Sequence, residues 1–423
     1  MTTLGIYDLP PLMLSGNFPD SVTFQGHNVP VTLLMNGQVI LEETYSSDSS
    51  FTISLKFKEL LNDLLKTNIP ISGDYIEQTT SVANFEIHTT PGQLGVEIFS
   101  FTLVKGGIDS PIIDCTNFLL GNFLTWKPQV KKVHFLDPQW LTYYTVAESN
   151  LYVQATYLEE DELITSDPLK ITDLAVHKKW TINTKFERLW QPFNQAGRSP
   201  YYIDVWIADE GTDRWTYVQR YVLTDEYHEF DDLFIFENSL GGVDVIRFTG
   251  ELERVIENEF KSAYFQKENL EYAVSVNQSF NKNTGYFRNP YEILWTIDFF
   301  ASINRYHLVN SIPRRIVLKK YDAKDMKTEL NHYEFTFSYS EQSKYLNNET
   351  ILGQLPSIMG DFIYSPQVLD DIYVRIFGDQ VVDGVKTFLQ PVHTDIIQPV
   401  SGSNLILNGL VVEQGGTIDC GEF

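Results

Sequence analysis

The chain has 423 residues, 43% of them apolar, more than one core usually accommodates, so two or three domains are expected. With 31 Lys+Arg against 56 Asp+Glu its formal charge is −25, which repels a phosphate backbone and argues against nucleic acid as a partner. The 28 Phe, 23 Tyr and 7 Trp favour pleated, half-buried surfaces, and the two cysteines, Cys115 and Cys420, cannot build a disulfide framework or a zinc knuckle and read as reduced thiols.

Met1 to Gly16 hold no Lys or Arg and no long apolar run, so a secretory leader is not expected, and no window reaches the length of a membrane span. Val29 to Met35, Asn36-Gly37 and Val39 to Leu41 predict a hairpin, because Asn-Gly supplies the two positive φ values of a type I′ turn. Phe57 to Leu65 place apolar residues three and four apart and predict a short amphipathic helix. Glu86 to Leu103 return to strand character, which closes a first β-sandwich over residues 1–115.

Residues 116–360 predict a second β-sandwich with helical insertions. Leu151, Val153, Ala155 and Tyr157 alternate with Tyr152, Gln154 and Thr156 as in a half-buried strand. Tyr202 to Ala208 and Arg214 to Leu223 flank an acidic turn, and Leu233 to Phe236 lead through Glu237-Asn238-Ser239-Leu240-Gly241-Gly242 to a strand over Val243 to Thr249. Helices are predicted at Glu251 to Ser262 and at Pro290 to Ser302, the second with an Asn289 cap and a proline in its first turn. Arg315 to Tyr321 and Tyr333 to Tyr339 read as strands, with Arg314, Arg315, Lys319 and Lys320 as their charged flank.

Beyond residue 360, Ser365-Pro366 followed by Leu369, Ile372, Tyr373 and Ile376 predicts a helix ended by Gly378. The remainder is short β-like pieces with Asn408-Gly409 as a turn. So small a segment has little core of its own, and its apolar residues need neighbours from other copies or another protein. The expected joining residues are Val381, Val382, Val385, Phe388, Leu405, Leu407 and Val411. The whole reads as mainly β: two sandwich-like domains, a few short helices and a small C-terminal oligomerisation segment over 361–423.

Catalytic signatures are absent: there is no GxSxG elbow, phosphate-binding glycine loop, dinucleotide fingerprint or HExxH helix. The eight histidines are scattered singly, so no metal or other cofactor is expected. Asp225, Glu226, Glu229, Asp231 and Asp232 around His228 lack the ligand alternation and central glycine of a calcium loop and read as solvated. A rival reading is a carbohydrate-binding module or glycan depolymerase at a host cell surface. It would use Trp206, Trp215 and Tyr217 as stacking platforms and Asp204 with Asp209 or Glu210 as a carboxylate pair, though strand aromatics more often fill a core.

Several phrases resemble tail and other virion structural proteins of phages infecting gut Bacteroidetes, including the crAss-like phages. They are LSGNFPDSVTF, NFLTWKPQVKKV at Asn122 to Val133, FIFENSLGGVDVIRFTGE at Phe234 to Glu251, and NTGYFRN. GDQVVDGVKTF is similar to a short motif of phage tail-fibre and appendage proteins, typically beside a trimeric shaft. The resemblance implies a non-enzymatic virion protein, made in the host cytoplasm and built into the tail. It implies contacts with other tail proteins, a trimeric homo-oligomer and contact with a host-surface glycan as a further option. Only Leu389 to Phe423 follow the motif, so an adaptor, hub or short appendage fits better than a complete receptor-binding fibre.

Overall fold

The computed structural model describes residues 2–90, 95–109, 114–159, 162–193, 200–210, 213–226, 228–265, 267–309, 312–324 and 331–341, with four short strands between 396 and 419. The chain divides into two compact units, Met1–Tyr345 and Leu346–Phe423. The fold is mainly β, with about half of the residues in strands and four α-helices among the described residues.

The first unit begins with β1 (Thr3–Gly5), β2 (Leu12–Leu14), β3 (Ser21–Gln25), β4 (Val29–Met35), β5 (Gln38–Tyr45) and β6 (Thr52–Leu55). Then come α1 (Lys58–Leu64), β7 (Tyr75–Glu77), β8 (Val82–Thr89) and β9 (Glu97–Val104). A five-stranded sheet, β2-β9-β8-β4-β5, and a three-stranded sheet, β1-β3-β6, enclose Phe18, Val31, Leu33, Phe85, Ile87 and Leu103. Leu61 of α1 enters the same core, so the helix at Phe57 to Leu65 forms where its spacing places it. The β4–β5 turn takes positive φ at Asn36 (49°) and Gly37 (79°), as Asn-Gly requires.

Next follow α2 (Cys115–Gly121), β10 (Val130–Val133), β11 (Trp140–Tyr144), β12 (Ser149–Glu159), β13 (Glu162–Thr165), β14 (Leu169–Leu174), β15 (Lys179–Asn183), α3 (Phe186–Trp190), β16 (Tyr202–Ala208) and β17 (Gln219–Leu223). Their larger sheet runs β10-β17-β16-β12-β13, with β14 also paired to β12. A second sheet, β11-β15-β7, pairs Trp180 with Glu77, so residues on both sides of position 115 share one sheet. Leu151, Val153 and Ala155 face the core as the alternation predicts. The strand is not half-buried, however: Tyr152 and Thr156 on its other face are covered too, Tyr152 by Trp206.

The last part of the unit is β18 (Asp232–Glu237), β19 (Val243–Phe248), β20 (Leu252–Phe265), β21 (Glu268–Asn283), α4 (Pro290–Ala301), β22 (Arg305–Val309), β23 (Ile312–Asp322) and β24 (Glu334–Tyr339). They form an antiparallel seven-stranded sheet in the order β19-β18-β22-β23-β24-β21-β20. Trp295, Phe299 and Phe300 of α4 pack with Phe234, Phe248, Phe335 and Phe337 of the sheet. Asn289 caps α4 by accepting from the Glu292 N–H at 3.0 Å, and Glu292 reaches back to accept from the Arg288 N–H at 2.7 Å.

The helix predicted at Glu251 to Ser262 is a strand. Leu252, Ile256, Phe260 and Tyr264 recur every four residues, a spacing that one helix face and every second position of one strand face satisfy equally. The neighbouring run Tyr272, Val274 and Val276 supplies a β-rich partner, and pairing along both strands decides the matter.

In the second unit β25 (Ile396–Ile397) pairs with β28 (Ile418–Asp419), and β26 (Leu405–Leu407) with β27 (Leu410–Val412), all antiparallel. The helix expected at Ser365 to Phe377 lies outside the described residues.

Candidate functional site

Two features of the first unit stand apart from ordinary packing. One is a buried polar junction between the central core, through Tyr221, and the α4 core, through Trp295. Asp244 on β19 is fully buried, and its carboxylate accepts from the Thr125 hydroxyl at 2.7 and 2.8 Å, Asn238 Nδ2 at 2.9 Å and Trp295 Nε1 at 3.0 Å. Lys127 Nζ lies 4.0 Å from this carboxylate and donates to the Trp140 carbonyl at 2.6 Å and the Tyr221 hydroxyl at 3.3 Å. Lys131 Nζ donates to Gln139 Oε1 and the Val245 carbonyl and sits 4.8 Å from the centre of the Trp295 ring. Burial drives Lys127 down to about 8, with Asp244 opposing, and carries Lys131 well below the usual lysine range.

The β18–β19 loop, Asn238 to Gly242, is the wedge of this junction. Its Ser239 carbonyl accepts from the Gly107 N–H at 2.9 Å, its Gly241 carbonyl from the Thr67 hydroxyl at 2.9 Å, and Asn238 Nδ2 donates to the Leu124 carbonyl at 2.9 Å. The Ser239 N–H donates to both carboxylate oxygens of Asp298 on α4, at 3.1 and 3.2 Å. A Cβ on Gly242 would lie 1.9 Å from the Leu124 carbonyl oxygen, and one on Gly241 2.0 Å from that of Lys105, so both glycines are there for close approach of backbones. The phrases at Asn122 to Val133 and Phe234 to Glu251 are therefore the two sides of one junction.

The other feature is a long arm. β20 and β21 pair along their whole length from Leu252↔Lys282 to Phe265↔Glu268, with the register shifting at Lys261/Ser262. β20 ends the sheet, and β21 meets β24 only through Phe280 to Asn283. Beyond Phe280 the two strands thus continue as a ribbon that no other described element pairs with, for roughly 35 Å at strand rise. One ribbon face carries Ile256, Phe260 and Tyr264, with Val274 opposite Phe260 and Val276 opposite Asn258, and each of the five is 44–74% exposed. This face continues that of Phe280, which packs in the α4 core. The other face of β20 carries Glu253, Glu257, Glu259 and Lys261. An isolated two-stranded ribbon is marginally stable in water, and a patch this size, on the order of 500 Å², reaches the upper end of what monomers expose.

Of the residues singled out from sequence, Val381, Val382, Val385 and Phe388 lie outside the described residues, and Leu405, Leu407 and Val411 fall in the β26–β27 pair. In the acidic run, Asp225, Glu226 and Glu229 are exposed as a solvated loop requires, whereas Asp231 and Asp232 turn inward, and three of the five carboxylates meet separate cations. Lys132 at 2.7 Å and Arg288 at 2.8 Å hold the Glu226 carboxyl down to about 2, Asp231 pairs with Arg247, and Asp232 with buried Lys282 and with His307 at 3.0 Å. Trp206 is buried and stacked on Tyr152, Trp215 and Tyr217 pack against the central core, and Asp204 is held by a bidentate pair with Arg220 at 2.7 and 2.8 Å. These groups are part of the packing and form no open sugar platform. Arg314 lies 3.9 Å from the Tyr339 ring centre, as a strand-flank cation. No described helix is long and apolar enough to cross a membrane.

Sequence reasoning missed both the junction and the arm. The junction's signal was a lysine inside an aromatic-rich run, Trp126-Lys127, paired at a distance with Gly241-Gly242; the arm's was the strand-like Val274 and Val276 after an apolar repeat of four.

No family model and no curated protein matches the chain. Among solved structures, a Bacteroides ovatus mixed-linkage glucan utilisation locus protein, SGBP-B, in complex with a mixed-linkage heptasaccharide is 9% identical over 67% of this chain and 58% of that one, with a TM-score of 0.12. A Ca²⁺-stabilised, ice-binding adhesin of an Antarctic bacterium is also 9% identical, over 64% of this chain and 66% of that one, with a TM-score of 0.13. The chain spans less than two thirds of the length of each, and at TM-scores this low neither likeness bears on fold or function.

Proposed function

We propose that this chain is a non-enzymatic structural component of a phage tail or appendage, made in the host cytoplasm and acting as adaptor, hub or short fibre by joining copies of itself and contacting other tail proteins. The β20–β21 arm carries the reading: a ribbon that exposes five large apolar side chains on one face and the carboxylates of β20 on the other, extending past the α4 core. Copies of this chain suit that surface despite a charge of −25 each, because the carboxylates of β20 lie on the face turned away from the contact. The tail setting rests on the resemblance of the phrases that form the junction and of GDQVVDGVKTF. Val381, Val382, Val385, Phe388, Leu405, Leu407 and Val411 form a second joining surface in the same proposal.

Native mass spectrometry of three forms tests it: the full chain, a variant with residues 255–277 replaced by a short Asn-Gly turn, and a truncation after residue 378. The full chain is expected to run as an oligomer and the arm-replaced form as single copies. A full chain that is a single copy, or an oligomer indifferent to both changes, would overturn the proposal.

A further inference from the structure

We infer that the arms of three or four copies close into an antiparallel β-barrel, each β20 edge pairing with the β21 edge of the next copy. This rests on the assembly reading above and names its partner and geometry. Along the arm two strand edges are unpaired among the described residues: the outer edge of β20, which ends its sheet, and that of β21 from Glu268 to Ser279. Open edges carry rows of unpaired N–H and C=O groups that seek another strand.

Three arrangements of copies are available, and they differ in what they satisfy. A face-to-face pair buries Phe260 and Val274 and leaves all four edges open. A two-fold pair through β20 leaves both β21 edges open. A rotational ring pairs β20 of each copy with β21 of its neighbour, which is antiparallel because the strands of one hairpin run in opposite directions, and leaves no edge.

The side-chain pattern sets the inside and the size. Ile256, Phe260, Val274 and Val276 share one face with the uncharged Asn258 and Gln278 and turn inward, with Ser262, Glu271 and Asn269 following on that face toward the tip, while Glu253, Glu257 and Glu259 on the other face of β20 turn to water. An interior lined by side chains this large is filled by them in barrels of about six to eight strands and is left as an open channel in much wider ones. At two strands per copy, this gives six or eight strands and therefore three or four copies.

The test is native mass spectrometry with hydrogen exchange on the full chain, Phe260→Glu, Val276→Glu and Glu259→Lys. All three positions are exposed in the single copy, so folding is not at stake. The full chain is expected at the mass of three or four copies with slow exchange over residues 253–279. Phe260→Glu and Val276→Glu should give single copies with at least tenfold faster exchange in that segment, and Glu259→Lys should leave the mass unchanged. Two copies lost on Phe260→Glu would overturn the barrel and leave the joining role standing; a mass indifferent to Phe260→Glu, to arm replacement and to truncation after residue 378 would remove both. Single copies of the full chain, rings of more than four, or Glu259→Lys as disruptive as Phe260→Glu would likewise overturn the barrel.

Discussion

Asp244→Asn isolates what the buried junction contributes. The substitution keeps the shape and one acceptor oxygen, which can still take Asn238 Nδ2 at 2.9 Å and Trp295 Nε1 at 3.0 Å. It places an amide N–H₂ where the other oxygen stood, 4.0 Å from the Lys127 ammonium, and removes the countercharge. At an effective dielectric near 20, a pair at that distance interacts by about 4 kcal/mol, and breaking a buried pair by removing one partner costs about 3–5 kcal/mol. Urea unfolding followed by tryptophan fluorescence at pH 7.5 is a suitable assay, since Trp295 sits on the site. Asp244→Asn is expected to lose about 3–5 kcal/mol, and the double variant with Lys127→Met should recover about 2 kcal/mol relative to the sum of the singles. Additivity within about 0.5 kcal/mol, or a single-variant loss under about 1 kcal/mol, would refute the view that charge pairing organises the junction.

Buried lysines also fix the sign of the pH dependence. Burial brings Lys127 to about 8 and Lys179 to about 7, both below the unfolded value, so between those values and about 10 the unfolded chain binds protons that the fold does not. Stability should rise with pH over roughly 8 to 9.5, by about 1.4 kcal/mol per unit for each lysine, and Lys179→Met should flatten the slope of the urea midpoint by one such share. Above about 10 the trend should reverse, because burial holds Tyr143, Tyr217 and Tyr221 above their ordinary value and the unfolded chain ionises first. Gly242→Ala drives a Cβ to 1.9 Å from the Leu124 carbonyl oxygen and should cost about 3 kcal/mol or prevent folding, whereas Gly37→Ala, with open space but a φ of 79°, should cost about 1 kcal/mol; equal melting temperatures for the two would contradict the wedge.

What the sequence disclosed were the signals whose cause is local. Asn36-Gly37 needs two positive φ angles, and Asn289-Pro290 needs one capped amide and one missing donor, so each could be placed before any tertiary contact was known. Leu252 to Tyr264 failed because a repeat of four fits both periods and only the pairing with β21 breaks the tie. Asp244 and Thr125 are 119 positions apart and meet only in the folded chain, and nothing near either residue marks it as one half of a junction. The end of the acidic run, Asp231 and Asp232, departs from a solvated loop for a similar reason: the cations that hold it, Arg247 and Lys282, come from strands β19 and β21.

The junction and the arm make sense together. A barrel made from several copies closes only if every copy presents its arm at the same angle, so the body behind the arm must not flex. Hydrophobic packing alone would hold the cores of this unit together but would tolerate sliding, since apolar contacts are not directional. A fully bonded carboxylate and two lysines anchored to backbone carbonyls accept only one arrangement, because displacement would leave buried charges without partners. Replacing such a group by a well-packed apolar one is often neutral in stability, so its value lies in specifying the arrangement. The wedge loop from Asn238 to Gly242 joins β18 and β19 at one end of the same seven-stranded sheet whose other end is the arm.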